Sequence, residues 1–565
     1  MKFADYIYHH PDVETLKKEI QTIEKQLQEA SDFESFWNAF MSFDALNQHL
    51  STDLNLCEIR HTINTKDSYY KQEEDYLNEI LPIVQEDLVR VGNGILESPY
   101  RKELEKKIPQ TYFWAKELEK KCFSPKVIED LQIENKASSA YQQLVAGAQV
   151  EFEGQSYTLS QLEPLMKSKD RSLRKRATKA YWGWFEENEE ELASIFDTLV
   201  KTRDRIAKKL GYENFIGCGY DRMYRFDYDQ KDVETYRQQV LKTVVPLNNK
   251  LYERQKNRLG VDRLMAWDEK VEFVSGNPKP KHDRQTMVQL ALQMYRELSV
   301  ETGEFFAYMI DHDLMDLDSK PGKAAGGYCT YLNDYDAPFI FANFNQTSGD
   351  VEVLTHEAGH AYQAYSSKEI VPMECIWPTS ESAEIHSMSM EFLTYPWMKN
   401  FFLEDTQKFI FDYLSGAVKF LPYGVLVDHF QHEVYAHPEK DHTWRMQTWR
   451  ELEKQYLPHK DYEEMELLER GGWWMRQLHI FMDPFYYIDY TLAQVCALQF
   501  WARAQKKDPD TFKDYQRICK LGGSLPFKQI VNQAHLKDPF EEGCLDEMIQ
   551  EVSAALESIT DEELS

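Results

Sequence analysis

The chain has 565 residues, of which 42% are hydrophobic and 28% are charged, and its formal net charge at pH 7 is −30. A chain of this length exceeds the usual size of a single hydrophobic core, so the sequence predicts at least two lobes. The strongly acidic balance repels nucleic acid and anionic lipid surfaces, so we expect neither nucleic acid nor a membrane as a partner.

The cysteines and the N-terminus indicate the compartment. Eight cysteines are scattered along the chain without a Cys-x-x-Cys pair, which argues against a zinc ribbon and against a thioredoxin-like motif. The first residues contain no apolar signal-peptide core, and no run approaches the roughly 18 apolar residues of a membrane span. We therefore expect a cytoplasmic protein with free thiols.

The first part of the chain is predicted to be helix after helix. After Pro11, apolar residues recur at steps of four, three and four, at Leu16, Ile20, Ile23 and Leu27. Alternation on either side of Glu153-Gly154 predicts a short hairpin. A long helix is predicted from Asp170 to about residue 209.

The lobe boundary is placed within this helical region. Residues 1–185 are predicted to form an N-terminal helical lobe, and residues 186–565 a second lobe. Residues 261–285 are predicted to be irregular, with a short strand at 271–274.

The composition changes from residue 318 onward. A glycine-bearing loop containing Gly326, Gly327 and Tyr328 is followed by a compact apolar run at 337–344, which predicts a strand. Residues of the N-cap type then predict the start of a helix, at Thr347, Ser348 and Asp350.

The predicted helix carries the motif on which the functional argument depends, His356-Glu357-x-x-His360. Two histidines four residues apart project from one helix face, so both imidazoles can reach a single metal ion. Glu357 points toward the same cleft, where it can act on a water that the metal activates.

The strand that precedes this helix has two interpretations. In zinc peptidases a strand in this position lends its edge to an extended peptide through main-chain hydrogen bonds. A buried structural strand is the other interpretation, and the sequence leaves both open.

A zinc site with two histidines requires a third anchor. The metzincin pattern needs a glycine and a histidine where this chain has Gln363 and Ser366, so that class is excluded. A glutamate from the next predicted helix remains, and the pattern does not choose between Glu381 and Glu384. Glu391 lies on the same helix face as Glu384, so one of this pair can bind the metal while the other orients a ligand histidine.

These residues resemble the thimet oligopeptidase and oligoendopeptidase F family, and within it the bacterial Pz-peptidase-like oligoendopeptidases. The resemblance rests on two stretches, Asp350-Val-Glu-x-Leu-x-His356-Glu357-x-Gly359-His360-Ala361 and Ala383-Glu384-Ile-His-Ser-Met-Ser-Met-Glu391. It extends to the helix at Asp170-Arg171, the glycine loop and the tyrosine-rich stretch near residue 487, and thus covers most of the chain.

The resemblance implies a mainly α, two-lobed helical metallopeptidase with a deep central channel and a small β-sheet next to the metal helix. The second lobe would be the catalytic one. The resemblance also implies one Zn²⁺ per chain held by His356, His360 and Glu384, with Glu357 as the general base and Glu391 orienting a ligand.

The family also has a downstream histidine and clustered tyrosines that contact the substrate and the oxyanion. Around Asp483-Pro484 this chain departs from the thimet-type tyrosine pattern. The resemblance implies that His479 and a tyrosine are the oxyanion donors. The departure leaves the choice of tyrosine open, with Tyr487 and Tyr490 preferred and Tyr486 next. The residues expected to contact substrate are Gly326, Gly327, Tyr328, Ala342 and Tyr486.

The predicted function is that of a zinc-dependent oligoendopeptidase acting on oligopeptides. A dipeptidyl carboxypeptidase of the same family is an alternative, and so is a non-catalytic peptide-binding protein with this fold. The intact histidine and glutamate set argues against the second alternative. An exopeptidase needs a feature that captures a peptide terminus, and the Gly-x-Met-Glu-Asn amine-binding motif of related zinc aminopeptidases is absent from the sequence.

Overall fold

The computed structural model describes residues 1–324 and 326–564. The protein is 70% helical and its sheets are small, which confirms the predicted mainly α fold.

Helices account for most of the described chain. In chain order they begin with α1 (Val13–Glu29), α2 (Phe33–Ile63), α3 (Ser68–Leu96), α4 (Arg101–Leu104), α5 (Gln110–Cys122), α6 (Ile128–Ala146), α7 (Leu159–Met166), α8 (Arg171–Glu187), α9 (Glu189–Lys209), α10 (Phe215–Arg222), α11 (Gln230–Gln239), α12 (Val245–Leu259) and α13 (Arg284–Leu298). They continue with α14 (Val300–Asp311), α15 (Gly349–Ser367), α16 (Ser380–Leu393), α17 (Met398–Phe402), α18 (Thr406–Ala436), α19 (His442–Tyr456), α20 (Glu466–Glu469), α21 (Leu478–Met482), α22 (Tyr487–Gln505), α23 (Thr511–Leu521), α24 (Phe527–Gln533) and α25 (Cys544–Ser558).

The predicted hairpin is present. Strands β1 (Val150–Phe152) and β2 (Gln155–Tyr157) pair in antiparallel fashion. The turn between them uses Glu153 and Gly154, whose φ angles are 50° and 81°. A glycine adopts this left-handed conformation without steric penalty, which explains its place in the turn.

A three-stranded sheet precedes the metal helix. Strands β3 (Met315–Asp318), β4 (Tyr328–Leu332) and β5 (Ala337–Phe344) lie in the order β3-β5-β4, with β3 parallel and β4 antiparallel to β5. Both edges of β5 are therefore paired, and its first six residues are buried. The interpretation of residues 337–344 as an edge strand for peptide is wrong, and they form a buried structural strand.

The chain forms two compact units, each assembled from three segments. Unit 1 consists of Met1–Lys120, Lys279–Thr406 and Cys496–Leu536. Unit 2 consists of Lys121–Pro278, Gln407–Val495 and Lys537–Ser565. The sequence-based division at residues 185 and 186 does not coincide with these units, because each unit joins segments that are far apart in sequence.

Unit 1 contains the elements that carry the metal motif. Helices α1, α2 and α3 pack on one another around an apolar core that includes Phe36, Phe40 and Phe43. The β3-β5-β4 sheet packs on α15 through β4 and β5, and α15 packs on α16. In unit 2, α6 packs on α9 and the β1-β2 hairpin packs on α8.

Helix α15 begins where the N-cap residues predicted it. It starts at Gly349, after Ser348, although the Ser348 side chain makes no capping bond. Instead the Asp350 carboxylate accepts the backbone N–H groups of Asn345 (2.9 Å) and Gln346 (2.8 Å). These bonds fix the turn that joins the buried strand β5 to the first turn of α15.

Small residues let α16 pack directly on α15. A Cβ atom at Gly359 would lie 2.7 Å from the His386 carbonyl oxygen and 2.7 Å from the Ser387 Cα. Only glycine permits this approach, because a Cβ atom at such distances overlaps the α16 backbone. The Tyr515 hydroxyl of α23 donates to the same His386 carbonyl at 2.9 Å. Helix α16 therefore packs on both α15 and α23, which also contact each other.

Two further predictions are wrong. Residues 271–274 form no strand; the Val271 carbonyl instead accepts a hydrogen bond from Gln255 Nε2 at 3.0 Å. The helix predicted from residue 170 to about 209 is two helices that meet at Asn188. The Asn188 side chain donates to the Trp184 carbonyl at 2.7 Å, a local bond that competes with continuation of the helix.

One stretch, Ser380–Ala436, is long and apolar enough to cross a membrane, by length and composition alone. It is divided among α16, α17 and α18. Of its most apolar window, 61% is buried inside the protein, as in an ordinary core helix. It is weak evidence for a span, and the expectation that no membrane is bound stays a prediction.

Replacing Gly359 tests the contact between α15 and α16. Gly359→Ala should destabilise the protein by about 1–3 kcal/mol, because the added methyl group forces the two helices apart. Gly183→Ala is the matched control, since Gly183 lies within α8 with no atom within 4 Å of its would-be Cβ. The control should be neutral or more stable by about 0.5–1 kcal/mol. Urea unfolding of both variants measures the difference, and equal stabilities would contradict the tight contact.

Candidate metal centre

Three side chains of α15 and α16 converge on one point. Glu384 Oε2 lies 3.4 Å from His356 Nε2 and 3.6 Å from His360 Nε2. Ligand atoms bound at about 2.0–2.1 Å around a tetrahedral zinc ion are roughly 3.4 Å apart, so the observed spacing suits a metal. Two imidazoles and a carboxylate are also a ligand set typical of catalytic zinc, with one position left for water or substrate.

One of the two histidines, His356, is oriented by a neighbouring carboxylate. The Nδ1 atom of His356 lies 2.7 Å from the Glu391 carboxylate. A proton on Nδ1 directs the lone pair of Nε2 toward the metal position, as in the carboxylate–histidine–zinc arrangement. This contact is the one that the predicted orienting role of Glu391 requires, and the role itself stays a prediction.

The histidines and carboxylates of this centre shift one another's pKa values. Burial alone would lower the pKa of His356, but its hydrogen bonds to Glu384 and Glu391 raise it well above the usual value. Burial likewise opposes ionisation of Glu384, yet the two histidines hold the pKa of its carboxyl well below the usual range. Glu384 is therefore held as an anion, which suits a metal ligand, and the Ser387 hydroxyl donates to its Oε2 at 2.9 Å.

The geometry chooses between the two glutamates that the sequence left open. Glu384 forms a metal-competent cluster with the two histidines, whereas Glu381, one turn earlier, has no part in that cluster. Both side chains are buried. Burial alone would therefore not have distinguished them.

Glu357 is buried beside the metal ligands. Only 7% of the residue is exposed, and burial raises the pKa of its carboxyl, as does the proximity of Glu384. The glycine loop passes close to it, since a Cβ atom at Gly327 would lie 3.7 Å from Glu357 Oε1. The structure thus brings the predicted base and part of the predicted substrate loop together.

The remaining loop residues have structural partners. Gly326 has a φ of 95°, which favours glycine, and its carbonyl accepts from Asn343 Nδ2 at 2.9 Å. The Tyr328 hydroxyl is 2.7 Å from Thr62 Oγ1, and its ring stacks on Phe341. These bonds hold the loop in place next to Glu357.

Ala342 does not fit its predicted role at a substrate-binding edge. It lies in the central strand β5 and is fully buried. Its carbonyl accepts a hydrogen bond from Lys323 Nζ. Among the described strands of this sheet, β4 and β3 hold the outer positions.

The predicted histidine and tyrosines come together within unit 2. The ring of His479 lies 5.7 Å from that of Tyr486, 5.1 Å from that of Tyr487 and 6.0 Å from that of Tyr490. Tyr487 and Tyr490 are 5.6 Å apart, as expected for neighbours on one helix face. These four residues therefore form one cluster.

Two residues that the sequence argument missed hold His479 in this cluster. The Tyr423 hydroxyl donates to Gln477 Oε1 at 2.6 Å, so Gln477 Nε2 faces His479 Nδ1, at 2.9 Å. An amide nitrogen only donates, so Nδ1 is the acceptor and the imidazole proton resides on Nε2. Burial lowers the pKa of His479, which favours this neutral form. No sequence signal marks either residue, since Tyr423 and Gln477 are 54 positions apart and carry no motif.

Comparisons with known proteins identify the relatives of this chain. The sequence model of Peptidase family M3 matches residues 164–549, and that of the Peptidase M3 N-terminal domain matches residues 3–123. The oligoendopeptidase F homolog of Borreliella burgdorferi is 23% identical over 381 residues, covering 65% of this chain and 61% of that protein. The chain thus spans less than two thirds of that relative's length.

Solved structures match over nearly the whole chain. A structure of Pz peptidase A with inhibitor 2 is 48% identical, with a TM-score of 0.93, and the match covers 99% of this chain and 100% of that one. The oligoendopeptidase-F of Enterococcus faecium is 15% identical, with a TM-score of 0.63 and 97% of each chain covered, and that likeness shows the fold alone.

The choice of Glu384 over Glu381 can be measured. Glu384→Ala should lose most of the tightly held zinc, because it removes one of three protein ligands. Glu381→Ala, one helical turn away, is the matched control and should keep it. Zinc retained after dialysis against metal-free buffer is measured by mass spectrometry. Retention by Glu384→Ala together with loss from Glu381→Ala would contradict the assignment.

Proposed function

This chain belongs to peptidase family M3, and we propose that it is a zinc-dependent oligoendopeptidase that hydrolyses internal bonds of short peptides. The observation that carries the proposal is the convergence of His356, His360 and Glu384 beside the buried carboxylate of Glu357. The names of its relatives, oligoendopeptidase F and Pz peptidase, support oligopeptides as the substrate class.

The metal is assigned to the cluster of two imidazoles and a carboxylate. A zinc ion bound there supplies Lewis-acid chemistry, which polarises a carbonyl and lowers the pKa of water. The protein's part is to hold the three ligands at fixed spacing. Glu391 contributes by keeping the His356 proton on Nδ1.

Glu357 is the proposed general base. It takes the proton of the attacking water as the scissile carbonyl is attacked, and later delivers that proton to the leaving amine. Burial raises its pKa toward neutrality, which improves the match between this base and its working pH. The pKa of Glu357 is raised and that of Glu384 is lowered. These opposite shifts support Glu357 as the base and Glu384 as the metal ligand.

The tyrosine cluster is proposed to stabilise the oxyanion. Gln477 leaves His479 with a proton on Nε2, so this nitrogen is a hydrogen-bond donor. Tyr487 is partly buried, and desolvation raises its pKa well above the usual value, so its hydroxyl keeps its proton and can also donate. Assignment of His479, Tyr487 and Tyr490 to the oxyanion follows the family resemblance and stays a prediction.

The compartment is also a proposal. All eight cysteines are free thiols, and six of them are buried. This supports a reducing compartment, for which we propose the cytoplasm.

Removal of the base separates catalysis from metal binding. Glu357→Gln should keep its zinc and lower kcat by about 10²–10⁴-fold. Glu369→Gln is the control, since it makes the same change at an exposed residue just after α15. It should leave both the zinc content and kcat unchanged. The substrate is a quenched oligopeptide blocked at both ends. Internal cleavage that a chelator abolishes supports the proposal, whereas near-normal turnover by Glu357→Gln would contradict it.

The oxyanion donors are tested by removing single hydroxyl groups. Tyr487→Phe or Tyr490→Phe should lower kcat by about 10²–10³-fold, because one donor to the transition state is lost. Zinc content should not change. Tyr69→Phe, an exposed tyrosine at the start of α3, is the control. If neither cluster variant lowers kcat, the assignment of these tyrosines is wrong.

A further inference from the structure

A second group of metal-ligating side chains lies in unit 1, outside the centre described above. Within residues 1–324 and 326–564, two groups bring their ligand atoms within 4.8 Å of one another. One is the centre on α15 and α16, and the other consists of His9, His49 and Asp53. His49 and Asp53 are four residues apart on α2, and His9 lies in the segment before α1.

The distances in this group are similar to those of the centre on α15 and α16, although the two histidines face different oxygens of Asp53 and the same oxygen of Glu384. His9 Nδ1 lies 3.5 Å from Asp53 Oδ1, and His49 Nε2 lies 3.6 Å from Asp53 Oδ2. The corresponding distances at Glu384 are 3.4 and 3.6 Å. All four distances are close to the roughly 3.4 Å between ligands of tetrahedral zinc.

A carboxylate also orients one of the histidines. His49 Nδ1 lies 2.7 Å from Asp334 Oδ2, the same distance as between His356 Nδ1 and Glu391. A proton held on Nδ1 by Asp334 directs the lone pair of Nε2 toward Asp53 and the metal position. The neighbouring His10 is committed elsewhere, since its Nδ1 lies 2.7 Å from Glu73 Oε2.

The carboxylate of this group is buried and its two histidines are half exposed, so a cation could reach the carboxylate from solvent. The Asp53 side chain is only 5% exposed, whereas those of His9 and His49 are 56% and 50% exposed. In the described part of the chain, the ion-pair partners of Asp53 are these two histidines, and neither is a lysine or arginine. A buried carboxylate without a permanent cation is unfavourable, and a divalent ion reached from solvent would compensate its charge.

We propose that His9, His49 and Asp53 form a second metal site, which binds a divalent transition-metal ion such as Zn²⁺. Two imidazoles and one carboxylate are ligands that zinc prefers, and solvent can supply the remaining ligand. Because two of the three ligands are half exposed, this site binds zinc more weakly than the centre on α15 and α16.

The bound ion would join the N-terminal segment to α2. This segment already contacts the rest of unit 1 nearby, where Tyr6 stacks on Tyr335 at 3.8 Å and the Ile7 N–H donates to the Tyr335 hydroxyl at 2.9 Å. The His9 N–H also donates to Asp53 Oδ1 at 2.8 Å. A metal held between His9 and α2 therefore adds a further link to the contacts that already hold this segment.

The test is the zinc stoichiometry of the full-length, tag-free protein, measured by equilibrium dialysis with excess Zn²⁺ and mass spectrometry. The wild type should bind about two ions per chain. His49→Ala and His9→Ala should each bind about one and keep peptidase activity. Glu384→Ala should also bind about one, and Glu384→Ala combined with His49→Ala should bind almost none. His10→Ala is the neighbouring control and should bind about two.

A finer variant keeps all three ligands. Asp334→Asn should still bind two ions at saturating zinc, with the affinity of the weaker site lowered by about 10–100-fold. Two ions bound by both His9→Ala and His49→Ala, or only one by the wild type, would overturn the proposal. Failure of the proposed peptidase function can be distinguished from these outcomes. It would appear as missing peptide cleavage, or as Glu384→Ala that still holds zinc at the stronger site.

Discussion

The contact between α15 and α16 is the constraint on which the site depends. Helix α15 supplies two imidazoles one turn apart, but the third ligand comes from α16. The carboxylate of Glu384 reaches the imidazoles because Gly359 lets the α16 backbone approach to a distance that excludes even a methyl group. The glycine inside the metal motif thus contributes to metal binding through helix packing, without touching the metal.

That packing brings together a group of buried charges. Glu357, Glu384 and Glu391 are each less than 9% exposed, and they surround two imidazoles. Buried carboxylates are unfavourable unless cations or hydrogen bonds compensate them. A divalent cation provides such compensation, and the unequal environments of the three acids give them separate roles. Glu384 is held as an anion, Glu391 orients His356, and burial raises the pKa of Glu357, the proposed base.

Local patterns predicted the local parts of this arrangement. The spacing of the motif, the start of α15 and the hairpin at Glu153-Gly154 each depend on residues that are close in sequence. The choice of Glu384 over Glu381 depends on the crossing of two helices, which periodicity does not specify. The central position of β5 depends on pairing with β3 and β4, and so was not predictable from its own composition. The second metal site was not predictable either, because it depends on contacts between distant residues. His49 and Asp334, for example, are 285 positions apart, and no sequence motif records such a contact.

The central claim is that His356, His360 and Glu384 hold one metal ion in front of Glu357. Anomalous scattering at the zinc edge, from crystals of the full-length protein grown with zinc, tests it most directly. We expect a strong peak about 2.0–2.2 Å from His356 Nε2, His360 Nε2 and a Glu384 carboxylate oxygen. No peak at these three atoms in zinc-grown crystals, or a peak bound by Glu381 in place of Glu384, would contradict the account.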